Sequence, residues 1–168
     1  YGLHKYVGEL YCEMFSKIYG LETVSLRYFN VYGPKQPPNG SYAQAIPKFL
    51  DMMKRGKPLT ITGDGKQTRD CTHVFDVVRA NILAAKSSKV GRGEVINIGS
   101  GKNHSMNEIA HLIGGKVVYI PARLEPRDTK ADISLAKKLL GWAPKVSIKK
   151  RIEDLKKDSS LRKSKKAI

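Results

Sequence analysis

Tyr1-Gly-Leu-His-Lys5-Tyr-Val-Gly-Glu-Leu10, running on to Ile18, is followed beyond Gly20 by Thr23-Val-Ser-Leu-Arg-Tyr-Phe29. Leu3, Tyr6, Val7, Leu10, Tyr11, Met14, Phe15 and Ile18 recur at helical spacing, which predicts a helix over residues 3–18 capped by Gly20. Its apolar surface is wide, enough to meet a sheet on one side and a second surface on another. Thr23 to Phe29 is β-branched and aromatic and reads as a strand, closed by Asn30 and a turn at Gly33-Pro34. Helix then strand across a short loop is the αβ half of a βαβ unit, so the chain is α/β. The helix also stacks Tyr1 and Lys5 one turn apart on one face. An ammonium beside a phenol favours the phenolate, which suits a general acid/base. By spacing alone, chance or ordinary packing is the better reading of the pair.

Downstream, residues 43–55 predict a helix with Pro47 tolerated in its first turn, and Leu59–Thr62 a short strand. Further helices are expected over 74–85, from the capping box Ser105-Met-Asn-Glu108 to Ile113, over 132–140 up to Gly141, and from Ile148 to about Leu161. Further strands are expected over 94–98 and 116–120, with 121–130 irregular. The strands near 23–29 and 94–98 are expected to share a parallel sheet.

The 168 residues amount to about one domain. With 40% hydrophobic and 27% charged residues the composition is that of an ordinary globular protein, and no apolar run approaches the roughly 20 residues of a membrane span. No signal-peptide pattern opens the chain, so a cytoplasmic protein is expected. Cys12 and Cys71 lack metal-ligand spacing and read as small core residues in a reducing compartment; no metal site is expected. The first residue is Tyr and the first Met is Met14, which suggests a piece of a longer chain. A net charge of +16 raises nucleic-acid binding. Residues 145–168 carry ten Lys/Arg against three acidic residues, and the end of the chain reads as a solvated basic tail. Aromatics are not interleaved with the lysines as a base-stacking platform requires, so nucleic acid is disfavoured as a partner.

Two glycine pairs follow strands. Gly99-Ser-Gly101 has no third glycine at dinucleotide-fingerprint spacing, and Gly63-Asp-Gly65 does not open a helix. Both read as plain turns.

In order along the chain stand Tyr1-x-x-x-Lys5, Leu26-Arg-Tyr-Phe-Asn-Val-Tyr-Gly-Pro34, Pro38-Asn-Gly40, Ile46-Pro47-Lys-Phe49 and Gly63-Asp-Gly-Lys-Gln-Thr-Arg-Asp70. Asn97-Ile-Gly-Ser-Gly101 and Ala131-Asp-Ile-Ser134 with Leu140-Gly-Trp142 follow. Together they resemble the C-terminal half of the extended short-chain dehydrogenase/reductases, in particular the NAD-dependent UDP-sugar 4-epimerases. The resemblance runs to about residue 155. It implies a Rossmann domain with a smaller substrate lobe, NAD as cofactor, a UDP-sugar as substrate and a homodimeric parent enzyme built through the first helix. On that frame residues 1–37 supply the last helix and strand of the Rossmann domain and 38–155 mainly the substrate lobe. Residues 94–101 return to the Rossmann sheet, and 156–168 form a basic, disordered tail.

The resemblance also implies roles. Tyr1 corresponds to the catalytic acid/base and Lys5 to the lysine that holds the nicotinamide ribose. Phe29 corresponds to a contact at the nicotinamide end, and Asn30 to a contact with the substrate's phosphate or sugar. Arg69 corresponds to a diphosphate-binding arginine, although its neighbour Asp70 offers a structural ion pair instead. Gln44 and Thr62 fall where nucleotide and sugar are held. Arg123 matches a second diphosphate arginine, with Arg127 its rival, because Arg123-Leu-Glu-Pro-Arg127 departs by one residue from the family's Arg-Pro-Gly-Asp/Glu. Thr129 falls near the position that limits the substituent at the sugar's C2. The reaction implied is epimerisation at C4 through a 4-keto sugar, with the piece by itself inactive. Two alternatives stand beside it: a decarboxylase, dehydratase or reductase of the same superfamily, and a non-enzymatic basic module binding nucleic acid or another anion.

Overall fold

The computed structural model describes residues 1–40 and 44–164. In chain order its elements are α1 (Gly2–Tyr19), β1 (Thr23–Tyr28), β2 (Val31–Tyr32), α2 (Ala45–Lys54), β3 (Leu59–Thr62), β4 (Thr68–Asp70) and β5 (Thr72–His73). There follow α3 (Val74–Lys86), β6 (Arg92–Ile98), β7 (Asn103–Ser105), α4 (Met106–Ile113), β8 (Val117–Ile120), α5 (Ser134–Leu140) and α6 (Ile148–Ser164).

The α/β expectation holds. β1 and β6 pair in parallel, with Leu26 opposite Ile96 and Tyr28 opposite Ile98. Gly20 ends α1 in the left-handed conformation (φ 65°), and its amide donates to Ser16 O. The chain then turns so that β1 runs back along α1. Thr23 Oγ1 donates to the Cys12 carbonyl at 2.8 Å and Ser16 Oγ to the Gly91 carbonyl at 3.0 Å. Further along, Arg27 forks onto Glu9 at 2.6 and 2.7 Å. No residue of α1 is buried, and its outer face leaves Leu10, Tyr11 and Ile18 44%, 57% and 64% exposed. One of the two contacts expected of this helix is therefore made and the other face is open.

Two apolar clusters organise the rest. The first joins Ile96 and Ile98 of β6 to Val77, Ala80 and Ala84 of α3, Ala136 and Leu140 of α5, and Trp142. Trp142 is fully buried and its indole N–H donates to the Asp76 carbonyl at 2.9 Å, which satisfies its one polar atom. The Asp76 carboxylate accepts the backbone amides of Lys145 and Val146 and so anchors the lead into α6. The second cluster brings together Ile46 and Phe49 of α2, Leu59 and Ile61 of β3, Ile109 and Ile113 of α4, and Ile152 of α6. Each such fully buried aliphatic side chain contributes about 1.5–3 kcal/mol. β3 pairs in parallel with β8, and β4 antiparallel with β7.

The capping box closes as expected, Ser105 Oγ accepting from Glu108 N at 3.0 Å and Glu108 Oε2 from Ser105 N at 2.7 Å. The short strands β2, β4, β5 and β7 went unpredicted because two or three residues show no periodicity. α6 runs to Ser164, so residues 156–164 are helical rather than tail. No Gly or Pro interrupts them, and Arg151–Asp154 at 3.0 Å supports the preceding turn. Residues 165–168, and Ala43 at the expected start of α2, lie outside the described residues. α5 begins two residues later than predicted, because Asp132 Oδ1 takes the Ser134 amide at 2.9 Å in a turn before the helix.

Candidate functional site

Between α2, β3, β4 and the segment after β8 lies a cavity of about 500 Å³. Its apolar side comes from the second cluster: Tyr32, Ile46, Phe49, Ile61 and Met106. Its polar side is built from loop ends and strand residues: Asn30 after β1, Gln44 before α2, Thr62 at the end of β3, Arg69 on β4, and Arg123 and Glu125 after β8. Five of the candidate residues therefore meet around one space although they span positions 30 to 123.

Arg69 is fixed by its own fold. One terminal nitrogen donates to the Thr68 and Arg127 carbonyls at 2.8 and 3.3 Å, and the other to Glu125 Oε2 at 3.0 Å. An ion pair between Arg69 and its neighbour Asp70 does not form. The side chains of adjacent strand residues point to opposite faces, and the buried Asp70 carboxylate takes the amides of Ser100, Gly101 and Ala131 at 2.6, 2.9 and 3.0 Å. Asp70 thus ties the turn after β6 and the start of the α5 segment to β4. Gly99 in that turn has no room for a side chain, since an added Cβ would meet Ala131 Cβ and lie 2.9 Å from Asp70 Oδ2.

Arg123 borders the cavity, whereas Arg127 does not. Arg127 forks onto Asp64 at 3.0 and 3.1 Å, and its guanidinium, with the Lys66 amide next, holds the Asp64 carboxyl below the usual range. Thr129 stands away from the cavity. Its Oγ1 accepts from the Asp70 amide at 3.4 Å and its own amide donates to Thr68 O at 3.3 Å.

Tyr1, Lys5 and Phe29 do not line the cavity. Lys5 Nζ lies 5.5 Å from the centre of the Tyr1 ring, as the one-turn spacing predicted. From the Cys12–Thr23 contact, the stretch of helix back to Tyr1 covers about 16 Å, and β1 runs about 17 Å in the same direction. The pair therefore stands level with the carboxyl ends of the parallel strands. Phe29, whose amide donates to Ile98 O at 3.0 Å, is at that same edge. In open parallel sheets a dinucleotide binds at this edge. Tyr1, Lys5 and Phe29 lie together at this edge; neither glycine pair of this chain forms the turn that cradles such a cofactor's phosphates.

Gln67 and Glu125 also line the cavity and carry no local signal of a role. Gln67 lay inside the Gly63–Asp70 motif without a role, and Glu125 stood only as a departure from the expected Arg-Pro-Gly pattern. Cys71, on the cavity wall, is buried, and burial pushes its thiol up to about 12, which makes it a poor nucleophile near neutral pH. His73, whose burial lowers its pKa, caps α3 by accepting the Phe75 amide at 3.2 Å. Among the described residues no helix is long and apolar enough to cross a membrane.

Residues 1–99 match the NAD dependent epimerase/dehydratase family. A UDP-N-acetyl-alpha-D-glucosaminuronate decarboxylase of Bacillus cytotoxicus is 37% identical over 160 residues, which is 88% of this chain and 49% of that protein. The structure of UDP-glucose 4-epimerase with UDP-glucose from Thermotoga maritima superposes with a TM-score of 0.85 at 41% identity, covering 98% of this chain and 53% of that one. UDP-glucuronic acid 4-epimerase from Bacillus cereus, in complex with UDP-glucuronic acid and NAD, gives a TM-score of 0.83 at 36% identity over 96% of this chain and 52% of that one. The chain spans about half the length of the curated relatives it matches.

Proposed function

The chain belongs to the NAD dependent epimerase/dehydratase family, and from that premise we propose that it is the substrate-binding part of a UDP-sugar 4-epimerase. The observation that carries this reading is the convergence of Arg69 and Arg123 with Asn30, Gln44 and Thr62 on one cavity. Guanidinium forks suit phosphate oxygens, and the polar side chains beside them suit a sugar nucleotide. Residues 1–37 with 94–101 belong on this reading to the Rossmann domain and most of 38–155 to the substrate lobe.

NAD, when bound by the whole enzyme, supplies reversible oxidation at the sugar's C4. Tyr1 takes the proton of the 4-hydroxyl and later returns it. Lys5, one helical turn away, holds the cofactor ribose. Arg69 and Arg123 keep the diphosphate while the 4-keto sugar turns to present its other face. The 168 residues alone are inactive on this reading, since they carry no turn for the cofactor's phosphates. The exposed face of α1 is covered in the parent by a second subunit, and the two free cysteines accord with a cytoplasmic setting.

Thermal unfolding with and without UDP tests the assignment. UDP raises the midpoint of the native chain, and Arg69→Ala removes the shift; an unmoved midpoint at millimolar UDP counts against it. Decarboxylation of a UDP-uronic acid is the second reading, favoured by the likeness to the decarboxylase. It uses the same binding cavity and separates from the first only in product analysis of the whole enzyme.

A further inference from the structure

The two cavity arginines are already partnered, and by a single carboxylate. Glu125 Oε2 lies 3.0 Å from Arg69 Nη2 and 3.9 Å from Arg123 Nη2. Gln67 Nε2 stands 3.4 Å from the other oxygen, Oε1. Three donors from β4, its lead-in and the segment after β8 thus converge on one anion at the rim of the cavity.

The donors are more firmly held than the carboxylate. Arg69 is tied to the Thr68 and Arg127 carbonyls, which leaves one terminal nitrogen directed at Glu125. Gln67 is buried, at 7% exposure, and its Nε2 donates to the Thr62 carbonyl at 2.7 Å. That bond fixes the amide's orientation, because a flip would set two acceptors face to face. Gln67 Oε1 is buried without a partner. Glu125 itself sits in an irregular segment beside Leu124, which is fully exposed and anchors nothing. The carboxylate can withdraw at little packing cost; the arginine fork cannot.

We propose that Glu125 is a resident counter-ion, which fills the anion position between Arg69 and Arg123 and leaves it when a phosphate-bearing ligand binds. This rests on the cavity being the diphosphate site of the proposed function. The consequence is a displacement cost that every phosphate-bearing ligand meets, set against what each gains at the two arginines. A single phosphate that displaces Glu125 from Arg69 exchanges one anion for another, and competes with a carboxylate tethered at high local concentration. A diphosphate spans both guanidinium groups, gaining a second charge-assisted pairing that the carboxylate supplies only at 3.9 Å. Glu125 therefore lowers the affinity for mono- and diphosphates alike, and the pairing with Arg123 is what separates the two classes.

Calorimetric titration of UDP, UMP and inorganic pyrophosphate into the 168-residue chain and its Glu125→Gln variant tests this. The pairing of Glu125 with Arg69 that the ligand must break, at 3.0 Å, is worth roughly fivefold or more in affinity. Glu125→Gln is expected to bind both UDP and UMP at least that much tighter, with the UDP/UMP ratio little changed. Weaker or unchanged UDP binding in Glu125→Gln overturns the inference, because the carboxylate would then be a ligand contact or a spectator. If neither nucleotide binds but pyrophosphate does, and more tightly in Glu125→Gln, the counter-ion stands and the nucleotide reading falls. If none of the three binds either protein, both fall. Glu125→Asp, one methylene shorter and still charged, guards against a folding defect in the glutamine variant. It should show a smaller gain in the same direction, and no gain from a folded Glu125→Asp counts against the inference.

Discussion

Asp70 Oδ2 accepts the Ala131 amide at 3.0 Å across 61 residues of sequence, while Oδ1 takes the Ser100 amide and hydroxyl, both at 2.6 Å. One fully buried carboxylate thereby holds three chain segments in register beside the cavity. Replacing it strands several buried donors, each costing about 1–3 kcal/mol. Asp70→Ala is expected to lose at least about 3 kcal/mol of stability, read from urea unfolding followed by the single buried tryptophan, Trp142. Asp70→Asn, which keeps one acceptor, should lose less.

Gly99 and Gly8 make a contrasting pair. A methyl at Gly99 collides with Ala131 and the Asp70 carboxylate, whereas at Gly8 nothing lies within 4 Å. Gly99→Ala should destabilise by about 1–3 kcal/mol. Gly8→Ala, in the interior of α1, should stabilise by about 0.5–1 kcal/mol. Equal midpoints for the two variants in thermal unfolding would remove the packing argument at Gly99.

Alkaline pH should weaken the fold. Burial raises the Cys71 thiol from 9.0 to about 12 and also pushes the Tyr32 phenol upward. Both groups bind their protons more tightly folded than unfolded. Their contribution is complete below pH 9 and is lost as pH climbs, first as the unfolded thiol ionises and then through the folded value near 12. Stability measured between pH 8 and about 11 should therefore fall, and Cys71→Ala should flatten that slope; a slope unchanged by the substitution would show that the thiol is not its source.

In the whole enzyme Tyr1→Phe should abolish turnover while leaving UDP binding within about twofold, because Tyr1 does not border the cavity that holds the diphosphate arginines. Comparison of kcat with the Kd for UDP in the same preparation checks this. Wild-type turnover in the variant would remove Tyr1 from the chemistry.

Much was legible before any coordinates. The 3.6-residue periodicity of α1, the β-branched run of β1 and the Ser105–Glu108 box are local signals, and the corresponding helices and strand formed within a few residues of their expected bounds. Tyr1 and Lys5 were placed together by helical geometry alone. The candidate substrate residues could be assigned from motif order, yet nothing local said which would share a space. Arg123 and Arg127 are four apart with similar surroundings in sequence, and only the folded chain puts one on the cavity and the other on Asp64. Thr129, assigned with the others, stands outside the cavity and pairs with Thr68 and Asp70 instead.

The sequence by itself determined the α/β class, the Tyr1–Lys5 pair and the family, because each rests on short-range spacing or on motifs in order. Tertiary structure decided what the charges do. Arg69 could have paired with Asp70 beside it or with Glu125, 56 residues away, and it takes Glu125 at 3.0 Å. Strand geometry turns Asp70 toward the three amides that bury it. An ion pair depends on where side chains point and on which charges lose water, and both are properties of the packed chain.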